Sequence, residues 1–490
     1  MGKQGAYEFW FVTGSQHLYG SESLQEVEEH SKRMVEGLNE KANLPSPLIF
    51  KEVSTNSESI RKLILEANRK EECAGLITWM HTFSPAKMWI AGLSELNKPM
   101  LHLHTQFNQD IPWDSIDMDF MNLNQSAHGD REYGFMNTRM NIARKVVVGH
   151  WQQDSVQERI KSWMFTASAH QESKFLKVAR FSDNMRGVAV TEGDKVEAQI
   201  KFGWSVHAFG IGDLVEKINQ VEEHRVRNLL EEYEELYHFD MNNKTIYQST
   251  FEQARIEIGL KEFLDEGGFK AFTTNFEDLH GMKQLPGLAV QRLMEQGYGF
   301  GGEGDWKTAA LVRLMKVMAG NRGTSFMEDY TYHLEPGNEL VLGSHMLEVC
   351  PTIASTKPEV QVQPLSMGGK EDPSRLVFNS QAGKALNASL VDMGGRFRLV
   401  INEVEAVPSE KEMPNLPVAR VLWKPQPTFA ESAEAWIYAG GAHHTAFSYH
   451  VSTEQLIDWA ETVGIECVVI DASTEVSAFR KELQWNQAIW

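Results

Sequence analysis

The sequence has 490 residues, 42% of them hydrophobic, and carries a formal charge of −20 at neutral pH. A chain of this length predicts about three domains of about 150 residues each, with enough apolar residues to build large cores. The negative charge argues against nucleic acid and anionic membranes as partners, because both attract basic surfaces. Three widely spaced cysteines, Cys73, Cys350 and Cys467, resemble neither a disulfide framework nor a zinc site.

Targeting segments are not predicted. No apolar run approaches the roughly 20 residues of a membrane span. The first apolar run, residues 7–12, is too short for a signal peptide. Together with the cysteine pattern, these observations predict a cytoplasmic protein.

The first 175 residues alternate apolar runs with amphipathic segments and are predicted to form an N-terminal α/β domain. Strands are predicted at 7–12, 48–53, 74–80, 100–104 and 145–148. Helices are predicted to begin at a capping box, Ser23-Leu-Gln-Glu26, near Glu58, and at Ser84-Pro85. This alternation indicates a parallel sheet, whose ligands bind beyond the carboxyl ends of the strands. Those ends are polar but lack a Gly-x-Gly-x-x-Gly fingerprint, which argues against a nicotinamide cofactor.

Residues 176–323 are predicted to form a central α/β domain. Its strands are predicted at 176–181 and 269–274, and its helices at 246–264 and 305–318, the last capped by Asp305. Glu303 precedes that helix, where the helix dipole favours an ionised carboxylate. A metal ligand and a simple capping acid are both compatible with this position.

Residues 324–490 are predicted to form a β-rich, barrel-like C-terminal domain. A glycine pair, Gly394-Gly395, between two apolar runs indicates a hairpin over 385–406. A helix at 453–462, a strand at 465–471 and a helix at 476–484 are predicted to end the chain.

Four residues of the last third of the chain suit one metal site. Alternation puts Glu328 on an aromatic face, where a carboxylate needs a partner, and this favours Glu328 over Asp329 as the buried acid. Alternation over 341–350 predicts that His345 points toward an apolar side and that Glu348 points away from it. His345 could then be either a metal ligand or a buried core histidine. His443 and His444 are adjacent, and local sequence does not choose between them. Glu303 is the fourth candidate.

This donor set has a clear chemical meaning. Two carboxylates and two imidazoles suit Mn²⁺ better than a thiolate-loving metal. Two carboxylates can also provide the acid and the base of a reaction. The sequence therefore predicts a metal-dependent enzyme that acts on small polar molecules.

Longer segments carry a resemblance to a known family. The chain resembles the L-arabinose isomerase family over nearly its full length. The segments that carry the resemblance are Trp10-Phe-Val-Thr-Gly-Ser-Gln-His-Leu-Tyr-Gly20, His81-Thr-Phe-Ser-Pro-Ala-Lys-Met-Trp89, Trp113-Asp-Ser-Ile-Asp-Met-Asp-Phe-Met-Asn-Leu-Asn-Gln125, Glu303-Gly-Asp-Trp-Lys-Thr-Ala-Ala310 and Gly440-Gly-Ala-His-His-Thr445. The resemblance implies a flavodoxin-like N-terminal domain, a related central domain and a β-rich C-terminal domain.

The resemblance also implies an activity and its residues. The activity is conversion of L-arabinose to L-ribulose through a metal-stabilised enediol, and of D-galactose to D-tagatose. One Mn²⁺ per subunit would be held by Glu303, Glu328, His345 and His444, so the family selects the second histidine of the pair. The two glutamates would be catalytic, with Glu328 favoured as the base. Substrate contacts are implied at Gln16, Leu18, Met185, Phe276 and His443, and at His128 of a neighbouring subunit. The assembly implied is a homohexamer built as a pair of trimers.

The sequence departs from the family pattern in one loop, and two alternative functions remain. The family's Phe-Gly-Asp-Asn-Met-Arg loop reads Phe181-Ser-Asp-Asn-Met-Arg186 here, and serine restricts the backbone beside Met185. A related sugar isomerase, such as an L-fucose isomerase, would share the metal and mechanism. Paired α/β domains also build sugar-binding receptors, but a receptor would need a signal peptide and no metal.

Overall fold

The computed structural model describes residues 7–365 and 369–490. The chain divides into two compact units, Met1–Gln171 and Glu172–Trp490. Within the described residues, no helix is both long and apolar enough to cross a membrane.

The first unit contains a five-stranded parallel sheet. Its strands are β1 (Glu8–Gly14), β2 (Leu48–Phe50), β3 (Cys73–Met80), β4 (Met100–His104) and β5 (Lys145–Val148). Its helices are α1 (Gly20–Lys41), α2 (Ser57–Arg69), α3 (Ile90–Leu93), α4 (Met118–Leu123), α5 (Ser126–Arg139) and α6 (Asp154–Ser173), which runs into the second unit. The strand order β2-β1-β3-β4-β5 is the flavodoxin-like order, and it confirms the predicted parallel sheet.

Several local predictions in this unit are wrong. Helix α1 begins at Gly20, so the capping box at Ser23 lies inside the helix. The Ser84-Pro85 segment leads into a 3-10 turn and the four-residue α3, and the Ser84 hydroxyl accepts a hydrogen bond from the Trp89 indole at 3.1 Å instead of capping. The connection between β4 and β5 contains α4 and α5.

The second unit begins with a four-stranded parallel sheet in the order β7-β6-β8-β9. The strands are β6 (Lys177–Phe181), β7 (Ser205–Phe209), β8 (Ala271–Thr274) and β9 (Gly299–Gly301). The helices are α7 (Lys195–Phe202), α8 (Ile211–Asn219), α9 (Glu223–Leu236), α10 (Lys244–Gly267), α11 (Gly287–Glu295) and α12 (Trp306–Met318). Helix α12 is buried over almost its whole surface, because it packs against this sheet and against the strands that follow.

A closed antiparallel barrel completes the second unit. Its strands are β10 (Thr324–His333), β11 (Leu340–Ser344), β14 (Gly383–Asp392), β15 (Phe397–Val407), β16 (Arg420–Pro425) and β17 (His444–Ser448). Pairing of β14 with β15 closes the barrel and confirms the predicted hairpin. The remaining elements are β12 (Glu359–Val362), β13 (Ser374–Val377), β18 (Glu466–Ile470), α13 (Phe429–Ala439), α14 (Thr453–Val463) and α15 (Val476–Ile489). β18 joins β15 in parallel.

Candidate metal centre

Glu303 lies in the tight turn between β9 and α12. Its backbone has φ 59°, a left-handed conformation that costs a non-glycine residue about 1–3 kcal/mol and clusters at functional sites. A side chain at the neighbouring Gly302 would be crowded, because an added Cβ would lie 3.3 Å from the His345 ring. The Met185 amide donates a hydrogen bond to the Glu303 carbonyl at 2.9 Å. The turn therefore holds the Glu303 carboxylate in a defined place.

The other three candidates come from the barrel. Glu328 on β10 lies directly opposite His444, the first residue of β17. On the other side of β10, Glu328 pairs with Ser344, the last residue of β11. His345 directly follows Ser344. The Phe326 ring contacts both imidazoles edge-on, with centroids 4.9 Å from His345 and 5.2 Å from His444. Neighbouring strands thus bring residues distant in sequence to one face.

The candidate donor atoms converge. Glu303 Oε2 lies 3.8 Å from His444 Nε2, and Glu328 Oε2 lies 4.0 Å from His345 Nε2. One ligand atom from each of Glu303, His345 and His444 lies within 4.8 Å of the other two. Glu328 does not belong to this group of three, but its carboxylate lies 4.0 Å from His345, which does.

Carboxylates behind the imidazoles orient both rings. His444 Nδ1 donates to Asp305 Oδ2 at 3.2 Å, and His345 Nδ1 donates to Glu348. When the ring is neutral and Nδ1 carries the donated proton, Nε2 presents its lone pair to the centre. Carboxylate–histidine pairs of this kind are typical of metal ligands.

These two carboxylates were assigned no such role from the sequence. Asp305 caps α12 as predicted, since its side chain accepts from the Thr308 amide at 3.1 Å, but the same group also holds His444. The prediction that Glu348 points away is wrong, because β11 ends at Ser344 and strand alternation stops there. The His-x-x-Glu spacing of 345 and 348 is the signal that could have indicated the pair.

Charge at the site follows from these contacts. Burial acts to raise the pKa of the Asp305 carboxyl, but the Lys307 ammonium and the His444 and Thr308 hydrogen bonds outweigh it and hold the pKa below its usual value. Burial acts to lower the pKa of the His345 imidazole, but the Glu348 carboxylate outweighs it and raises the pKa. Burial also lowers the pKa of His443, with a contribution from neighbouring His444.

The residues present fit a divalent cation. His444 Nε2 is buried and has no hydrogen-bond partner among the residues the structure describes. A buried polar atom without a partner is costly, and an ion would satisfy it. The surrounding carboxylate and imidazole donors are those that Mn²⁺ and similar ions accept.

The remaining predicted residues fall into two groups. The Met185 amide bonds to the Glu303 carbonyl, so the Met185 backbone lies beside Glu303. Half-buried Phe276 follows β8, and the Thr274 carbonyl at the end of β8 accepts a hydrogen bond from the Gly304 amide at 3.1 Å. The His443 ring lies 4.3 Å from that of His444 and lines a cavity of about 210 Å³ in the second unit. Gln16, exposed Leu18 and exposed His128 belong to the first unit.

The predicted contrast between Glu328 and Asp329 is not found. Both side chains are half-buried. Burial raises the pKa of Asp329 to about 6, and its carboxylate accepts a hydrogen bond from the Tyr332 hydroxyl at 3.2 Å. A register shift in the β10–β11 pairing between Asp329 and Thr331 interrupts the alternation on which the prediction depended.

Models of known protein families match most of the chain. Residues 3–175 match the family model of the L-arabinose isomerase N-terminal domain, residues 177–321 that of its central domain, and residues 323–466 that of its C-terminal domain.

Individual relatives agree with the family models. The chain is 69% identical to an L-arabinose isomerase of Geobacillus stearothermophilus over 487 residues, which are 99% of this chain and 98% of that one. It is 68% identical to that of Anoxybacillus flavithermus over 489 residues (99% and 97%). It is 61% identical to that of Clostridium beijerinckii over 484 residues (99% and 98%). The chain therefore belongs to the L-arabinose isomerase family and is a sugar isomerase.

Proposed function

We propose that the chain converts L-arabinose to L-ribulose, and D-galactose to D-tagatose, with one Mn²⁺ per subunit held by Glu303, Glu328, His345 and His444. The proposal rests on the close approach of Glu303, His345 and His444, and on His444 Nε2, which has no hydrogen-bond partner in the described part of the chain. When bound, the ion supplies Lewis-acid stabilisation of negative charge that develops on the sugar oxygens.

The two glutamates divide the proton transfers. Aldose–ketose isomerisation moves one proton between C1 and C2 and another between O1 and O2. We assign the carbon-bound proton to Glu328, because its side chain is the more exposed of the two, at 23% against 17% for Glu303, and can more readily approach a bound sugar. Glu303, fixed by its turn, then serves the hydroxyl protons. Both carboxylates act at short range on a substrate already in position.

Neighbouring residues position the sugar. Met185 donates its amide to the Glu303 carbonyl, and Phe276 follows β8, whose Thr274 carbonyl accepts from the Gly304 amide. Their side chains are proposed to form an apolar wall beside the ion. His443, with its lowered pKa, favours the neutral imidazole, which can both donate to and accept from sugar hydroxyls. Gln16 and Leu18 are proposed to add contacts from the first unit.

The assembly is proposed to be a pair of trimers in which His128 reaches a neighbour's centre. His128 is exposed in the first turn of α5, where it is available to another chain. We place the enzyme in the cytoplasm, since Cys73, Cys350 and Cys467 are free thiols. We also propose domain boundaries after residues 175 and 323, which keep each of the sheets intact.

A ketose assay tests the activity. The purified chain should form ketose from L-arabinose, lose that activity in EDTA, and regain it with Mn²⁺. L-fucose should be a much poorer substrate, and binding of arabinose without turnover would indicate a receptor. Glu335→Ala is a matched control for the glutamates, because Glu335 is exposed and its carboxylate pairs with the exposed His333 at 3.2 Å. Preferred turnover of L-fucose, or full activity without any divalent ion, would contradict the proposal.

A further inference from the structure

A buried lysine lies behind the candidate metal centre. Lys307 is the second residue of α12, and its side chain is fully buried. Lysine is almost never fully buried unless its ammonium is paired, because an unpaired charge away from water is very costly. The proposed isomerisation gives this side chain no task. Its partners show what it holds together.

The Lys307 ammonium binds one short stretch of backbone. Its Nζ donates to three successive carbonyls, those of Val190 at 3.0 Å, Thr191 at 3.0 Å and Glu192 at 2.6 Å. An ammonium has three N–H donors, and these carbonyls occupy all of them. The same Nζ lies 3.3 Å from Asp305 Oδ1, as a buried ion pair. The lysine thus ties this stretch of backbone to the beginning of α12.

The buried Asn184 makes a second connection to the same backbone. Its Nδ2 donates to the Thr191 carbonyl at 2.6 Å and to the Gly304 carbonyl at 3.2 Å. The Thr191 carbonyl therefore accepts from both Asn184 and Lys307. Gly304 packs so closely here that an added Cβ would lie 2.6 Å from the Asn184 Cα. Residues 184–192, the clamped segment, are thus fastened to the turn that carries Glu303.

The clamped segment contains Met185, a proposed sugar contact. The Met185 amide donates to the Glu303 carbonyl at 2.9 Å, so the segment runs directly beside the metal turn. Arg186 after it is exposed and pairs with Glu277 and Asp278. Ion pairs at the surface contribute little to stability, so the position of the segment depends mainly on its buried connections.

We propose that Lys307 is a positioning residue that, together with Asn184, holds Met185 at a fixed place beside the metal centre. It acts through the backbone of residues 190–192 and not by touching the sugar or the ion. The inference rests on the proposed isomerisation, in particular on the sugar contact at Met185. Loss of the ammonium weakens sugar binding and leaves the two catalytic glutamates in place.

Lys307→Met tests this role, because it removes the ammonium and keeps most of the side-chain length. With saturating Mn²⁺, KM for L-arabinose should rise about 3- to 10-fold, the effect of about one hydrogen bond. The value of kcat should change little, because the contact acts equally on the bound sugar and on the transition state.

Hydrogen exchange provides a readout that does not require activity. Backbone amides in a peptide that covers residues 182–193 should exchange roughly 3- to 10-fold faster in Lys307→Met, because local opening becomes easier. Mass spectrometry of the full chain measures this rate. A chain that did not convert L-arabinose would contradict the proposed function, and the exchange rate would still decide whether Lys307 fastens the segment.

The same helix supplies a matched control. Lys316 of α12 is also fully buried, and its Nζ donates to the Thr324 carbonyl at 2.8 Å. Lys316→Met should lower the melting temperature, as Lys307→Met does, but leave KM and exchange over 182–193 unchanged. Asn184→Leu should reproduce both effects of Lys307→Met, and it takes the place of that variant if Lys307→Met does not fold.

Three outcomes would overturn the proposal. Unchanged exchange over 182–193 in Lys307→Met would show that the lysine does not fasten the segment. Faster exchange with an unchanged KM would show that the segment does not position the sugar. An equal rise of KM in Lys316→Met would show that loss of any buried lysine of α12 has this effect.

Discussion

His444 and Asp305 are joined by a 3.2 Å hydrogen bond from imidazole Nδ1 to carboxylate Oδ2, and Asp305 is also the residue that caps α12. One carboxylate thus fixes the beginning of a helix and the rotation of a candidate ligand. His345 and Glu348 form the second such pair. Both imidazoles are therefore oriented before any ion arrives, which reduces the entropy that binding must overcome.

The first prediction concerns these two carboxylates. Asp305→Asn and Glu348→Gln should each weaken Mn²⁺ binding about 10- to 100-fold, because a carboxamide orients the ring less firmly and lowers its basicity. Metal affinity measured by calorimetry checks the effect. Excess Mn²⁺ should restore much of the activity, which a simple folding defect would not allow. Glu335→Gln, at an exposed site beside His333, should bind the ion normally.

The second prediction concerns the ligands themselves. Glu303→Ala, Glu328→Ala and His345→Ala should each remove most activity while the protein stays folded, because each takes a donor from the centre. Elemental analysis together with circular dichroism distinguishes loss of metal from loss of structure. If activity disappeared while metal content stayed unchanged in all three variants, these residues would not be ligands.

The third prediction separates the adjacent histidines. His444→Ala should lose bound Mn²⁺, since its buried Nε2 faces Glu303. His443→Ala should keep the metal and change KM or kcat, since its ring lines the neighbouring cavity. Metal analysis of both purified variants decides between these roles. Equal metal loss in both would mean that the two rings share the ion.

The fourth prediction concerns stability. Ser182 has φ 72°, the left-handed region that glycine adopts readily and serine does not. Ser182→Gly should stabilise the protein by roughly 0.5–1 kcal/mol. This is the free energy of the backbone strain that glycine relieves, minus the conformational entropy that glycine adds to the unfolded chain. Ser94, with φ −65°, is the matched control, and Ser94→Gly should be destabilising. Thermal melting at a fixed scan rate compares them. A lower melting temperature for Ser182→Gly would contradict the strain argument.

The fifth prediction is that the active site is completed across a subunit boundary. His128→Ala and Glu303→Ala homo-oligomers should both be nearly inactive. Co-expressed chains of the two variants should regain activity, because some interfaces pair an intact His128 with an intact metal centre. Assays of mixed oligomers, isolated by two affinity tags, measure the recovery. Mixed oligomers that form but stay inactive would place the action of His128 within its own chain.

Periodicity predicted part of the regular structure. The strand at 145–148, the helix capped by Asp305 and the hairpin around Gly394-Gly395 all lie where the sequence indicates. Each is specified by neighbours in sequence, through alternation, capping or turn chemistry. The predicted fold class is confirmed for the same reason.

The details of the centre could not be predicted in this way. The bond between Asp305 and His444 joins residues 139 positions apart, and no local pattern announces it. Glu348 was predicted to point away because alternation was extended beyond Ser344, where the backbone leaves the strand. The left-handed backbone of Glu303, whose carbonyl accepts a hydrogen bond from the distant Met185 amide, was likewise not predicted. The four-ligand assignment and the domain boundaries stay predictions.

Closure of the barrel limits how another chain can attach to this unit. Strands β10, β11, β14, β15, β16 and β17 each have hydrogen-bonded neighbours on both sides, and only the five-residue β18 ends the sheet. A sheet without open edges gives an incoming segment no row of unpaired amides and carbonyls to extend. Among the described strands of this barrel sheet, another chain could therefore add by backbone pairing only at β18, and recognition elsewhere on the barrel must use side chains, helices and turns.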